Sequence, residues 1–350
     1  MPEHEVYMQR CLDLALCGAG AVSPNPMVGS VIVVDGLIIG EGYHQKYGEA
    51  HAEVNAIEDA LNKNSDAEEL LKKSTLYVNL EPCAHFGKRP PCSDLIISYQ
   101  IPTVVIGCRD PFKLVDGKGI EKLKKAGVNV IEGILKVESH HLNRRFFTKV
   151  EKQRPYIILK WAQTRDAFFA PSDKSQRWIS SLESKKLVHK WRGEEDAVLV
   201  GKNTAMIDDP QLNVRLWPGK DPVRIVIDRY LQLPHCLKLF DQSQQTIIFN
   251  SVKTDLLPNI KYLELEDFDN LLPQLICYQL YLMDVQSLII EGGAETLKLF
   301  INAGLWDEAR VFISDNSWGE GLPAPELPGK LISTGSVGSD ILQIRFNNHQ

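Results

Sequence analysis

At 350 residues the chain is too long for one ordinary hydrophobic core and fits two domains of roughly 150 to 200 residues. Its 44% apolar content supports globular folding, while a formal net charge of −6 argues against the broad basic footprint of a nucleic-acid binder. No apolar run reaches the ~18 residues of a membrane helix, and Met1-Pro2-Glu3-His4-Glu5 carries no signal-peptide pattern, so a cytoplasmic protein is expected.

Apolar residues at Val6, Met8, Leu12, Leu14, Ala15 and Leu16, with Gly18 and Gly20 as stops, predict a helix over residues 3–17. Ser23-Pro24-Asn25-Pro26-Met27-Val28-Gly29 reads as a rigid loop. Two apolar runs follow, and Asp35-Gly36 between them is a strong hairpin signal.

A helix from about His51 to Leu61 delivers His51 and Glu53, and a strand over 74–80 leads to Glu81-Pro82-Cys83. Cys92 opens the next helix, whose positive dipole end suits thiolates. One imidazole and two thiolates form a tetrahedral zinc set whose fourth position stays open for water, as in catalytic centres. Glu53 can face that water without ligating the metal, and so carry its proton. The pattern H-x-E, then P-C, then a second cysteine is that of zinc-dependent nucleobase deaminases, in which zinc lowers the pKa of its water to about 7. The plainer alternative is a structural zinc clip. Such a site usually offers four protein ligands, often in C-x2-C pairs, and the chain has no such pair. His85 could still supply a fourth ligand and close the site.

Strands over 104–108 and 128–131 and a helix over 119–126 continue the alternation, implying an α/β sandwich around a mixed sheet. A charged helical linker over about 136–152 separates two domains, 1–150 and 151–350. The second half opens with a strand over 156–162 and continues through a helix containing His189 and Arg192 and a strand over 197–200. Further on, a strand from Ser287 to Ile290 breaks at Gly292-Gly293 and turns straight into a helix, leaving backbone amides at a helix N-terminus for a phosphate. A tight turn needing glycine only for packing is the alternative. No G-x-G-x-x-G follows a strand, so a Rossmann domain is not supported. Cys11, Cys17, Cys108, Cys236 and Cys277 read as small core residues, and a reducing compartment suits the thiol set.

The long spacing P-C-x3-G-x2-P-P-C from Pro82 to Cys92 resembles one family in particular, the bifunctional riboflavin-biosynthesis deaminase-reductases. The order of motifs over about 155–312 resembles the reductase half of the same family. The resemblance implies an N-terminal cytidine-deaminase-like α/β/α sandwich and a C-terminal dihydrofolate-reductase-like α/β domain. It also implies one zinc ion, NADPH, a pyrimidine ribotide substrate and a homo-oligomer. The implied reactions are deamination of 2,5-diamino-6-(5-phosphoribosylamino)pyrimidin-4-one, then reduction of the ribose of 5-amino-6-(5-phosphoribosylamino)uracil to ribityl.

Carried over motif by motif, the resemblance assigns His51, Cys83 and Cys92 to the metal, Glu53 to proton transfer, and Asn25, His44, His85, Lys88 and Asp110 to the pyrimidine ribotide. In the second half it assigns Gln176, Arg192, Leu212, Arg215 and Glu291 to substrate, with the arginines on the ribose phosphate. Gln163, Trp178, Thr204, Asp208 and Arg229 are assigned to the cofactor, together with Gly293, Ala294, Glu295, Thr296, Leu297, Lys298 and Leu299. Asp208 lies where cofactor and substrate are expected to meet. The chain departs from the family at Phe112, where Asn is frequent, and at Thr164-Arg165-Asp166-Ala167, where S-L-D-G is common. The residues leave open a deaminase for another base whose C-terminal domain binds ligand without reducing it, and a zinc-stabilised interaction module. Beyond Phe312 the chain shows turn residues and no recognisable chemistry.

Overall fold

A computed structural model of the protein describes residues 3–84, 90–112, 115–172 and 179–348. The chain divides into two compact units, Met1–Lys152 and Gln153–Gln350.

The first unit runs α1 (Glu3–Leu16), β1 (Gly29–Val34), β2 (Leu37–Tyr43), α2 (Ala52–Lys63), α3 (Ala67–Leu71), β3 (Thr75–Leu80), α4 (Cys92–Ser98), β4 (Thr103–Cys108), α5 (Lys118–Lys125), β5 (Asn129–Glu132), α6 (Lys136–Leu142) and α7 (Arg144–Lys152). Its sheet has the order β2-β1-β3-β4-β5; β1 is antiparallel to both neighbours, and β3, β4 and β5 are mutually parallel. Strand alternation builds the layers. Ile32, Leu76, Val78, Val104 and Ile106 pack with Ile57 and Ala60 of α2, Ile96 of α4 and Leu123 of α5. Their neighbours Val31, Val33, Tyr77 and Val105 pack with Met8 and Cys11 of α1. Asp35 and Gly36 both take positive φ, 48° and 79°, as a two-residue type I′ hairpin turn requires.

Residues 136–152, expected as a charged helical linker, are helical as α6 and α7 but belong to this unit. The buried Asn143 accepts from the Met27 N–H and donates to the Met27 carbonyl, both at 2.8 Å, and Phe147 is buried with Leu80 and Cys108. The high charge of this stretch hid the few positions that anchor it.

The second unit runs β6 (Tyr156–Gln163), β7 (Phe168–Ala170), α8 (Leu182–Glu194), β8 (Ala197–Gly201), α9 (Lys202–Asp208), β9 (Val223–Ile227), β10 (Thr246–Asn250), β11 (Asp255–Leu256), β12 (Ile260–Glu264), α10 (Leu272–Leu282), β13 (Ser287–Ile290), α11 (Ala294–Asn302), β14 (Glu308–Ile313), β15 (Leu322–Pro323), β16 (Lys330–Val337) and β17 (Asp340–Phe346). Its main sheet has ten strands in the order β11-β12-β10-β9-β8-β13-β6-β14-β17-β16. From β12 to β14 every pair is parallel, which explains continuous apolar runs such as Ala197–Val200 buried on both faces. Helices α10 and α11 cover one face through Ile276, Leu280, Leu297 and Phe300. On the other face α8 and α9 contribute Val188, Trp191 and Ala205. Beyond Phe312, where the sequence shows turn residues and no recognisable chemistry, β17 adds antiparallel to β14 and pairs with β16.

Two of the cysteines expected in the core are exposed: Cys17 just past α1 and Cys236 in a turn. Apolar neighbours in sequence do not decide which side of a helix end or turn faces inward. Among the described residues no helix is long and apolar enough to cross a membrane.

Candidate active sites

The His51, Cys83 and Cys92 ligand atoms lie within 4.8 Å of one another. His51 is the N-cap residue of α2, Cys83 follows β3, and Cys92 is the first residue of α4, so three element ends converge here. His51 Nδ1 lies 3.7 Å from Cys83 Sγ and 3.3 Å from Cys92 Sγ, and the Cys92 backbone N–H donates to Cys83 Sγ at 3.3 Å. The Cys83 thiol is pushed down to about 4, chiefly because the Cys92 side chain donates to it, with burial opposing. A three-donor N/S/S set with one thiolate already favoured fits zinc. Glu53 is 3% exposed; burial raises its carboxyl pKa, and His51 opposes the rise.

Around this cluster the side chains are locked. His44 Nδ1 contacts the Ala50 carbonyl at 2.9 Å, and His44 Nε2 faces Asn25 Nδ2 at 3.0 Å. The first contact makes Nδ1 the donor, so Nε2 accepts from the Asn25 amide. The His44 and His51 rings meet edge to face with centroids 5.6 Å apart, which ties Asn25 to the metal cluster. Asp110, 8% exposed, accepts the Phe112 N–H at 2.8 Å, and burial pushes its carboxyl up to about 7. His85 and Lys88 lie outside the described residues, as do Gln176 and Trp178.

In the second unit Arg192 of α8 grips Glu291, which follows β13: Nε and Nη2 reach the two carboxylate oxygens at 2.7 and 2.8 Å. Lys160 of β6 approaches the same carboxylate at 3.6 Å. Burial alone would raise the Glu291 carboxyl, but Arg192 and Lys160 together hold it down at about 2. His189 accepts the Arg215 N–H at 3.3 Å; its own burial, then Arg192 and Arg215, push it down to about 4. Arg215 Nη1 donates to Asn213 Oδ1 at 2.9 Å.

The strand-to-helix turn after β13 is tight on both sides. The Gly201 N–H donates to the Gly292 carbonyl at 2.8 Å, and a Cβ at Gly201 would stand 2.3 Å from Thr296 Oγ1. A Cβ at Gly293 would stand 3.1 Å from Thr204 Oγ1. Gly293 caps α11 without any side-chain cap, and among the described residues no side chain accepts from the first-turn amides, as a pyrophosphate cradle requires. Thr204 is thereby beside the turn. Ala294 and Leu297 have buried side chains, and Glu295 and Lys298 pair with each other at 3.4 Å. From residues 293–297 it is therefore chiefly backbone that can meet a cofactor.

The remaining assigned residues fall less tightly. Leu212 is 2% exposed in the core with φ of 52°, so only its backbone is available to a substrate. Gln163 accepts from Trp161 Nε1 at 2.9 Å, and Arg229 holds Asp269 at 2.6 and 2.9 Å. Asp208 ends α9, and burial raises its carboxyl. Sequence reasoning missed Lys160 and Glu81. A lysine within the apolar run Tyr156–Trp161 was the available signal, since such lysines are rarely buried unpaired.

A deaminase-like sandwich with a His/Cys/Cys metal centre, joined to a mostly parallel sheet with a glycine turn for phosphate, defines a two-domain enzyme of hydrolytic deaminase plus reductase. Residues 1–108 match the family described as cytidine and deoxycytidylate deaminase zinc-binding region, and residues 155–337 match the RibD C-terminal domain. The riboflavin biosynthesis protein RibD of Aquifex aeolicus (strain VF5) is 43% identical over 328 residues, covering 92% of this chain and 89% of that protein. RibD of Escherichia coli (strain K12) is 34% identical, covering 89% and 88% respectively. The crystal structure of a diaminohydroxyphosphoribosylaminopyrimidine deaminase/5-amino-6-(5-phosphoribosylamino)uracil reductase from Thermotoga maritima superposes with a TM-score of 0.89 at 37% identity, covering 99% of each chain. Acinetobacter baumannii RibD gives a TM-score of 0.88 at 30% identity, covering 98% of each chain. The chain belongs to the RibD family of riboflavin-biosynthesis enzymes. It is a bifunctional deaminase and reductase acting on a small molecule, with zinc in the first half, NADPH in the second and a dihydrofolate-reductase-like second domain.

Proposed function

We propose that the first unit deaminates 2,5-diamino-6-(5-phosphoribosylamino)pyrimidin-4-one and the second reduces the ribose of the resulting 5-amino-6-(5-phosphoribosylamino)uracil to ribityl. The observation that carries the reading is the convergence of His51, Cys83 and Cys92 beside the buried Glu53. Zinc, when bound, supplies Lewis acidity that makes its water acidic enough to attack at neutral pH. Glu53 takes one proton of the attacking water and gives it to a ring nitrogen, then takes the second from the resulting hydroxyl and gives it to the amino group, which departs as ammonia. The Ala50–His44–Asn25 chain leaves Asn25 Oδ1 to accept from the pyrimidine edge. On this reading Asp110, which interacts electrostatically with the ligand Cys83, contacts the same ribotide.

In the second unit NADPH supplies the hydride. Arg192 already spends three nitrogens on Glu291 and the Asn213 carbonyl, so Arg215 is the freer fork for the ribose phosphate, and Arg192 orients Glu291 toward the sugar. Lys160 shares that carboxylate and is placed to stabilise charge on a sugar oxygen. Asp208 lies at the cofactor–substrate junction, with Thr204 and the amides after Gly293 on the dinucleotide. The two-thiol ligand set supports a cytoplasmic location, where thiols stay reduced. Family likeness supports a homo-oligomer.

The test is a coupled assay on zinc-replete protein: the diaminopyrimidine ribotide is supplied, ammonia is followed, and NADPH is then added. Ammonia followed by NADPH loss supports both assignments. Ammonia without NADPH loss favours a deaminase whose second unit only binds ligand, and no ammonia overturns the substrate.

A further inference from the structure

Between β3 and the metal ligand Cys83 sits Glu81, 4% exposed and outside the donor group of His51, Cys83 and Cys92. Its carboxylate is instead the acceptor for four backbone N–H groups. Oε2 takes those of Asp110 and Gly117 at 3.4 and 3.0 Å, and Oε1 takes those of Gly119 and Ile120 at 3.0 and 3.2 Å. Those donors are the two ends of the segment that follows β4 and the first turn of α5. A carboxylate at a helix N-terminus that accepts several N–H groups is a strong, charge-assisted anchor. The anchor is reinforced by close approach: a Cβ on Gly119 would stand 2.0 Å from the Pro82 carbonyl oxygen, so only glycine lets α5 start against the residue that precedes Cys83. One side chain thus couples the strand end bearing Cys83 to the segment bearing Asp110, and Asp110 Oδ1 accepts the Phe112 N–H.

We infer that Glu81 is a positioning residue of the deaminase, holding Asp110 at a fixed distance from the metal ligands so that the ribotide is gripped while the ring is attacked. The inference rests on the assignment of Asp110 to the substrate. Its signature is in binding rather than in the chemical step, because the donors that Glu81 clamps lie on the segment of Asp110 and not on the elements that carry Glu53, His51 and Cys92.

The test is Glu81→Gln in the full chain. The amide presents one oxygen and an NH2 group that faces backbone N–H donors, so about half of the clamp opens. Losing charge-assisted hydrogen bonds worth ~1.5–3 kcal/mol corresponds to roughly a ten- to hundredfold rise in the deamination KM. The deamination kcat should stay within a few-fold, zinc should remain at one per chain, and NADPH oxidation by the second unit should be unchanged. Glu81→Asp, which keeps the charge but reaches fewer donors, should fall between. A KM unchanged in Glu81→Gln overturns the inference, and so does a kcat that falls in step with lost zinc at constant KM, which would make Glu81 a support for the metal alone. If Glu81→Gln is recovered unfolded, Glu81→Asp, which keeps the carboxylate but reaches fewer donors, decides between the same outcomes. Wild-type protein that releases no ammonia from the ribotide overturns the substrate assignment itself, a result distinct from an unchanged KM.

Discussion

Arg192 and Glu291, 99 positions apart in the chain, meet as a two-point ion pair whose side chains are 11% and 7% exposed. Lys160 stands against the same carboxylate, so Glu291 is the anion that makes two buried cations tolerable. Glu291→Gln should therefore cost about 3 kcal/mol, the scale on which a buried pair loses one partner. For a unit of this size that is roughly 6–12 °C in the melting temperature, read by calorimetry as a shift of the transition assigned to the second unit. An unshifted transition would mean that water already screens the pair.

The same cluster sets an acid limit. His189 is held near 4 by burial and by Arg192 and Arg215, whereas in the unfolded chain a histidine titrates near ~6.5. Between those values the unfolded chain binds a proton that the folded one refuses, so this contribution is complete above about pH 6.5 and is lost as the pH falls toward 4. Glu291, depressed to about 2, adds a second loss that begins near ~4.3 and runs downward. Melting temperature against pH should begin to fall at about 6.5 and keep falling below about 4, and His189→Asn should remove the fall between those two values alone. An identical curve for that variant would assign that fall to another group.

Ala167 takes φ of 63°, in the left-handed region, while the Thr164–Phe168 turn closes around it with Ala167 N–H on the Thr164 carbonyl at 3.0 Å and Thr164 N–H on the Phe168 carbonyl at 3.0 Å. The turn is thus made despite alanine standing where the resembled family commonly has glycine. Left-handed backbone costs a non-glycine residue about 1–2 kcal/mol, partly offset by the greater chain entropy of glycine. Ala167→Gly should stabilise the second unit by about 1 kcal/mol, or roughly 2–4 °C, with NADPH oxidation retained. A lower melting temperature would show that the chain relaxes around Ala167 without strain.

How far the sequence could be read follows from how each site is assembled. The metal centre was legible because its members sit in short motifs at element ends, where spacing alone brings donors together. The Asp35-Gly36 turn was legible for the same reason. Arg192 and Glu291 could be named only by resemblance, since no local pattern announces a contact between α8 and the end of β13. Leu212 shows the limit of that route: its side chain belongs to the core, so a position carried over as substrate-binding can act only through its backbone. Glu81 and Lys160 escaped because each is one polar residue in an otherwise apolar or motif-bearing stretch, and only the packed structure shows what it faces. The hairpin beyond Phe312 escaped because the exposed β16 carries no clear inward-facing stripe.

The sharpest separation of roles is available at Glu53. It lies two residues after His51 on α2, is buried, and shares electrostatic contact with His51 and Cys83. If it carries protons, Glu53→Gln keeps the shape of the side chain but cannot take a proton from water or return one to the leaving amino group. Removal of such a general acid-base group typically costs ~10²–10⁴-fold, so ammonia release should fall by about that factor. Zinc measured by atomic absorption should stay at one per chain, because the donors are His51, Cys83 and Cys92. NADPH oxidation with the deaminated ribotide should be unaffected, since that chemistry belongs to residues of the second unit. Zinc lost together with activity would instead make Glu53 a ligand, and ammonia release at the wild-type rate would move the proton transfer to another group in the pocket.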